Sequence, residues 1–405
     1  MFFAKTAFDI KSNSYLCKKR AMKLEAIKYT RFKGCKKEWS IEGKSSKGSI
    51  PQWLTLESVN LIVGKNATGK SKTINVIREI ADLLAGDTKV SDLQHDTATY
   101  EIVFICESLK YEYFLDFKDK TIIQEKLLVD GKSKLDRANK ELFYEKENKF
   151  LSFKTDENVL SASRRDSEQQ PFFDHLIDWG KSLTHYRFGS QFGHNMLLKD
   201  INLIKESDII NLKDTNQVIE VFFKGEKQYG ASFLDLMKKD MTSIGYSISK
   251  IEIKRTFLSA FGISVQEKDL EDVTDQIEMS QGMFRALSLL IQLNYSFLSK
   301  YPSCVLIDDI GEGLDFDRSK SLINLIIDKV KKSNVQIIMT TNDRFVMNNI
   351  PIEHWSVIQR LSKKSIFYNY KNSKEIFDDF KYTGLNNFDF LSTNFYIDGF
   401  QESKS

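Results

Sequence analysis

The stretch Val59–Ile74, "VNLIVGKNATGKSKTI", decides how the rest of the chain is read. A short, mostly apolar run ending at Val63 leads into Gly64-Lys65-Asn66-Ala67-Thr68-Gly69-Lys70-Ser71, a complete G-x-x-x-x-G-K-[ST], after which a helix is expected over 70–84. The pattern carries a mechanism. Its glycines let the backbone wrap around phosphate groups, and the helix beginning near Gly69 turns its N–H groups towards them. Lys70 suits β/γ oxygens, and Ser71 suits a magnesium ion. With Lys72 in the same first turn, residues 64–72 are the candidate nucleoside-triphosphate site. An average sequence of this length matches the pattern by chance roughly 1–2% of the time, and here strand and helix also flank it as the mechanism requires. "GKS" recurs at Gly43-Lys44-Ser45 and Gly180-Lys181-Ser182, but there Glu38 and His175 stand where the earlier glycine is needed.

Outward from this loop, "AIKYTRFKG" and "LTLESVNLIVG" read as strands. The runs "TYEIVFICE", "KYEYFLDFK" and "TIIQEKLLVDGK", separated by charged turns, read as a β-meander. Residues 170–250 turn helical and irregular, and "ISKIEIKRTFLSAFGISV" reads as a further hairpin. From Gln281 onwards helical stripes alternate with the buried strands "SCVLID" and "VQIIMTTND", as in a parallel sheet covered on both faces. The expected architecture is α/β, a mixed-sheet core with a meander and an inserted helical lobe.

The 405 residues, 41% apolar and 28% charged, suffice for one large or two ordinary domains. Cys17, Cys35, Cys106 and Cys304 form no C-x-x-C pair, so free thiols and a reducing cytoplasm are expected. No segment reads as a membrane span. Residues 1–50 hold 13 Lys/Arg against 4 Asp/Glu, an asymmetry that fits an anionic partner or a solvated basic extension. The carboxylates of Glu267–Glu278 read as a solvated face. His175, His185, His194 and His354 show no metal-binding spacing.

A second anion site is expected at "EMSQGMFRALSLL", where Ser280 and the N–H groups of a helix starting beside it point outwards. Together with the loop at Gly64, this stretch resembles the signature of ABC ATPases, with Met279-Ser280-Gln281-Gly282 in its core and Arg285 on the helix. The resemblance implies ATP–Mg²⁺ sandwiched in a head-to-tail dimer, Ser280 and Gly282 meeting the phosphates held by the other subunit. In "CVLIDDIGEGLDFDRS", Cys304–Ser319, it makes Asp308 the Walker B carboxylate, acting on magnesium with Ser71. It makes Leu314-Asp315 the D-loop, with Asp315 at the nucleotide. Gln191 is a weak Q-loop candidate. Arg31-Phe32 resembles a region that lines the nucleotide or contacts DNA in the SMC/RecF group; an ordinary strand aromatic fits equally.

Two positions depart from the pattern. Asp309 stands where such ATPases carry glutamate, which sets the carboxylate back by roughly 1–1.5 Å; a shift of about 1 Å can cost on the order of 100-fold in rate. Asn342 stands where a histidine is usual. The candidate catalytic residues are therefore Asp309, Glu312 in the Gly311-Glu312-Gly313 turn, and Asn342; the metal candidates are Ser71 and Asp308. The insertion between loop and signature, with no coiled-coil arm, is similar to RecF and to OLD-type antiphage-defence ATPases. The departures at Asp309 and Asn342 suggest slow hydrolysis, and the likeness implies an ATPase, homodimeric or higher, controlling a separate effector such as a Toprim or other nuclease. A RecF-like DNA clamp and an ATP-ordered scaffold are the alternatives, so DNA stays open as a partner and no membrane is expected. The expected divisions are a basic extension at 1–21, an ATPase lobe at 22–160, an inserted lobe at 161–278, the signature and Walker B region at 279–370, and a tail at 371–405.

Overall fold

The computed structural model describes residues 22–45, 52–190, 193–204, 211–299 and 304–400. The expected extension 1–21 and Gln191 lie outside them. In chain order the elements begin with β1 (Met22–Arg31), β2 (Trp39–Gly43), β3 (Leu54–Thr55), β4 (Val59–Val63) and α1 (Lys70–Ala85). Next come β5 (Ala98–Cys106), β6 (Leu109–Lys118), β7 (Thr121–Val129), β8 (Lys132–Asp136), β9 (Glu141–Tyr144) and β10 (Lys149–Ser152). The middle of the chain holds α2 (Pro171–Ser182), β11 (Thr184–Arg187), α3 (Val218–Tyr229), α4 (Ala231–Ser243), β12 (Ile248–Arg255), β13 (Phe261–Glu267) and β14 (Val273–Asp275). It continues through α5 (Gln281–Leu298), β15 (Cys304–Asp308), α6 (Phe316–Lys331), β16 (Gln336–Thr340), α7 (Arg344–Asn349), β17 (Trp355–Arg360) and β18 (Lys364–Asn369). Three short helices follow, α8 (Lys374–Lys381), α9 (Asn387–Ser392) and α10 (Phe395–Asp398).

One large mixed sheet runs β10-β9-β8-β7-β6-β5-β1-β2-β18-β17-β4-β16-β15-β11, with β3 beside β1. Its two halves follow from two sequence patterns. β4 and β16 are buried throughout and pair in parallel with their neighbours, as expected of apolar strands covered on both faces. The meander wing is antiparallel and alternates: on β6, Tyr111, Tyr113, Leu115 and Phe117 are buried while Lys110 and Lys118 are exposed. The mixed α/β architecture with a meander is thus the one expected, and β12–β14 form a separate small sheet that includes the expected hairpin.

The sheet separates two cores. α1 and α2 pack on the face carrying Ile62, Leu306 and Ile338. α3 to α7 pack on the face carrying Leu61, Val63, Val305 and Ile307. Gly180 lets α2 approach α1 closely, since a Cβ there would lie 2.4 Å from the Ala81 carbonyl oxygen. The segment 161–278 divides between these layers: α2 covers α1, β11 joins the large sheet beside β15, and α3 to β14 lie with α5. Residues after Tyr370 also fold, burying Phe377, Phe380 and Phe390 in the second core. Among the described residues no helix is long and apolar enough to cross a membrane.

Candidate nucleotide site

The loop at residues 64–69 leaves the end of β4 and enters α1 at Gly69, whose φ of 114° is open to glycine. Gly64 is fixed by space: a Cβ would come 2.3 Å from Cγ2 of Ile358. Lys70 is buried and turns back, its Nζ donating to the carbonyls of Gly64 at 2.8 Å and Lys65 at 3.3 Å. Burial pushes its ammonium pKa down, against the opposing pull of Asp309 and Asp308. An ammonium ion curled over its own loop in this way is suited to being handed to phosphate oxygens.

Side chains from distant strands brace the loop. Arg360 Nη1 donates to the Ala67 carbonyl at 2.7 Å, and Ser365 Oγ to that of Thr68 at 3.1 Å. Trp39 Nε1 in turn donates to Ser365 at 3.1 Å. Arg31 and Lys72 both lie over the Trp39 ring, 5.2 and 5.5 Å from its centre. Burial, then Arg31 and Arg360, lower the pKa of Lys72. Cations crowd this side of the loop, an arrangement that an anion relieves.

Ser71 Oγ donates to Asp308 Oδ1 at 3.2 Å, at the end of β15. The Thr340 hydroxyl, from the end of β16, donates to the same oxygen and accepts from the Asp309 N–H at 2.9 Å. Thr340 belongs to the site although no motif marked it. Its only advance signal was its position at the end of a buried strand that had to neighbour β15. A serine hydroxyl and a carboxylate are hard oxygen donors that suit magnesium, with the other positions left to phosphate and water. Among the described residues no group of three or more His, Cys, Asp or Glu side chains could hold a metal by itself.

Asp309 adopts a left-handed backbone, φ 56°, unusual outside glycine but tolerated by aspartate. Its carboxylate accepts from Asn342 Nδ2 at 3.2 Å. Burial, Asp308 and Glu312 raise its pKa, with Lys70 opposing. The two positions that depart from the ABC pattern are therefore hydrogen-bonded to each other. Glu312 is turned elsewhere: its carboxylate lies against Gly189, where a Cβ would meet Oε2 at 2.4 Å.

Ser280 caps α5, accepting from the Met283 N–H at 3.3 Å. Gly282 presses on the turn after β15, where a Cβ would fall 2.5 Å from the Gly313 carbonyl oxygen. Arg285 ties three carbonyls together: Gly189 at 3.0 Å, Ser190 at 3.2 Å and Glu312 at 2.9 Å. Asp315 caps α6 by accepting from the Arg318 N–H and pairs with its guanidinium at 2.7 Å. Among the described residues, no hydrogen bond or ion pair joins Ser280, Gly282 or Asp315 to residues 64–72 of the same chain. Lys70, Ser71, Asp308, Asp309 and Asn342 are brought together; the signature residues and Asp315 are not.

No family model matches the chain, and no curated protein matches it. Its fold is similar to solved structures of SMC heads and of RecF. A structure of an SmcHead bound to the C-winged helix domain of ScpA is 15% identical at a TM-score of 0.48, covering 85% of this chain and 96% of that one. An Smc head with an extended coiled coil from Pyrococcus furiosus, bound to the C-terminal domain of ScpA, is 14% identical at a TM-score of 0.47, covering 89% and 100%. The recombination mediator RecF, in a structure with ATPrS, is 16% identical at a TM-score of 0.39, covering 86% and 98%. These are likenesses of outline, and they assign no residue a role.

Proposed function

We propose that the chain is an ABC-type ATPase that binds ATP–Mg²⁺ at residues 64–72, closes head to tail around it with a second copy, and hydrolyses it slowly. One observation carries the reading: Lys70, Ser71, Asp308 and Asp309 converge where β4 and β15 end. In this reading the backbone of Gly64–Gly69 cradles the phosphates, and Lys70 leaves the Gly64 carbonyl for a β/γ oxygen. Ser71 and Asp308 would hold magnesium, which when bound neutralises phosphate charge. Asp309, steadied by Asn342, orients or deprotonates the attacking water. Its short side chain supports slow turnover. Glu312, facing Gly189, is the weaker candidate for that task. Ser280 and Gly282 would meet the nucleotide of the second copy, with Asp315 beside them.

The ATP-closed pair would control a separate effector, a Toprim or other nuclease in antiphage defence. The likeness of the loop-to-signature insertion to OLD-type ATPases supports that part. The scattered cysteines, with no C-x-x-C pair, support a reducing cytoplasm. The test is phosphate release by the purified chain beside Lys70→Ala and Asp309→Ala. Release at wild-type level only in the unsubstituted chain is expected; equal background release from all three removes the hydrolytic step.

One observation favours a RecF-like role on DNA. Lys33, Lys36 and Lys37 are exposed on the turn between β1 and β2, and Lys363 reaches the Cys35 carbonyl at 3.5 Å, so a basic edge adjoins the nucleotide loop. ATP-dependent duplex binding that weakens steeply with salt is its signature, and ATP-independent or absent binding removes it.

A further inference from the structure

The backbone leaves β15 at Asp309. Ile307 is in register with Met339, so Asp308 and the left-handed Asp309 after it lie beside Thr340 at the end of β16. A partly buried N–H that turns out of a parallel ladder needs another acceptor. Thr340 supplies both acceptors that this bend requires. Its carbonyl accepts from the Ile310 N–H at 2.9 Å, and its hydroxyl accepts from the Asp309 N–H at 2.9 Å. The Thr341 hydroxyl donates to the Ile310 carbonyl at 3.0 Å and closes the turn.

Thr340 is fully buried, and its hydroxyl proton goes to Asp308 Oδ1. A hydroxyl holds a single proton and an ionised carboxylate only accepts, so both bonds have a fixed direction, from the Asp309 N–H to the Thr340 oxygen and from the Thr340 O–H to Asp308. Valine would keep the β-branched shape that suits a strand and lose both bonds. Shape alone therefore does not call for a hydroxyl here. Asn342, just beyond the same strand end, donates to the Asp309 carboxylate at 3.2 Å. Asp309 is thus held twice, at its backbone by Thr340 and at its side chain by Asn342.

We infer that Thr340 is a positioning residue for the proposed hydrolysis: it ties the left-handed turn at Asp309 to the carboxylate of Asp308, and so sets where the short Asp309 carboxylate reaches. This rests on the reading of Asp309 as the group that handles the attacking water. Aspartate has one side-chain torsion fewer than glutamate, so its backbone decides the place of its carboxylate more strictly. A glutamate recovers a displaced position by rotating a further bond; Asp309 has none to rotate. Asp308 keeps the bond from Ser71 at 3.2 Å when the Thr340 hydroxyl is removed, so the loss falls on Asp309.

Single-turnover phosphate release and ATP affinity, measured for Thr340→Val and Thr340→Ser, with and without Asp309→Asn, test this. Thr340→Val should slow release by about tenfold or more while ATP affinity stays within about threefold of the wild type, and Thr340→Ser should restore release to within about threefold. When Asp309→Asn is already present, Thr340→Val should slow release further by less than about threefold, because the carboxylate it positions is gone. A hydroxyl that only stabilises the strand end would cost the same factor in both backgrounds. Hydrogen exchange read by NMR needs no turnover: the Asp309 amide should lose protection by about tenfold or more in Thr340→Val and keep it in Thr340→Ser. Wild-type release in Thr340→Val, an equal loss in both backgrounds, no rescue by serine, or an Asp309 amide as protected with valine as with threonine overturns the proposal. Absent release from the wild type itself removes the hydrolytic reading and this role with it; wild-type hydrolysis that is insensitive to Thr340 removes this role alone.

Discussion

At Asp309 a short carboxylate sits on a left-handed backbone and is held by Asn342 rather than facing water freely. If this pair handles the attacking water, Asp309→Asn should lower turnover by about 100-fold or more while ATP affinity stays near that of the wild type. Glu312→Gln should change turnover less than about threefold, since its carboxylate faces Gly189. Single-turnover phosphate release separates the two, and the reverse order would make Glu312 the water's partner. His185 gives a pH prediction. Its folded pKa of about 3 lies below the ordinary 6.5, so the unfolded chain takes up this proton first. The stability it contributes is present above pH 6.5 and is lost as pH falls from there through 3. Tm should therefore fall less steeply below pH 6.5 in His185→Asn than in the wild type, as read by calorimetry at matched ionic strength.

At the scale of elements, the turn after β15 is held by α5. Gly282 touches the Gly313 carbonyl, and Arg285 joins that turn to the residues following β11. Gly282→Ala should destabilise the chain by about 1–3 kcal/mol, because its methyl group meets backbone that cannot rotate away. An unchanged midpoint in denaturant would show that α5 shifts freely. The same elements show why some of the site was legible in sequence. The loop at Gly64, the run to Asp308 and the cap at Ser280 are each contiguous, and each makes a local demand for glycine, carboxylate or hydroxyl. Thr340, Arg360, Ser365 and Trp39 carry no such demand. They reach the site only because β16 lies between β4 and β15, and because β17, β18 and β2 follow on the other side. That order is set by long-range packing. Arg285 was visible as a helix residue, but its three carbonyl partners come from two segments that only the folded sheet brings together.

For the whole molecule, the large sheet stands between the starts of α1 and α5, the two proposed anion sites. α1 lies in the core on one face, with Leu306, and α5 in the core on the other, with Val305 and Ile307. Both starts meet solvent, yet among the described residues nothing bonds Ser280 to residues 64–72. On the proposed reading one chain presents two half-sites, and in a head-to-tail pair each nucleotide would take its loop from one copy and its cap from the other. This makes the assembly testable by mixing defects. Lys70→Ala damages a copy's loop, and Ser280→Arg damages its cap; each variant alone should hydrolyse at background. In a heterodimer both defects fall on one composite site and the other site is intact. An equimolar mixture that exchanges freely should regain about a quarter of wild-type turnover, since half of the pairs are mixed and half of their sites are whole. Recovery should rise with ATP-dependent dimer formation seen by light scattering. If the mixture stays at background while dimers form, the sites are not shared between copies, and Ser280 is simply the cap of its helix.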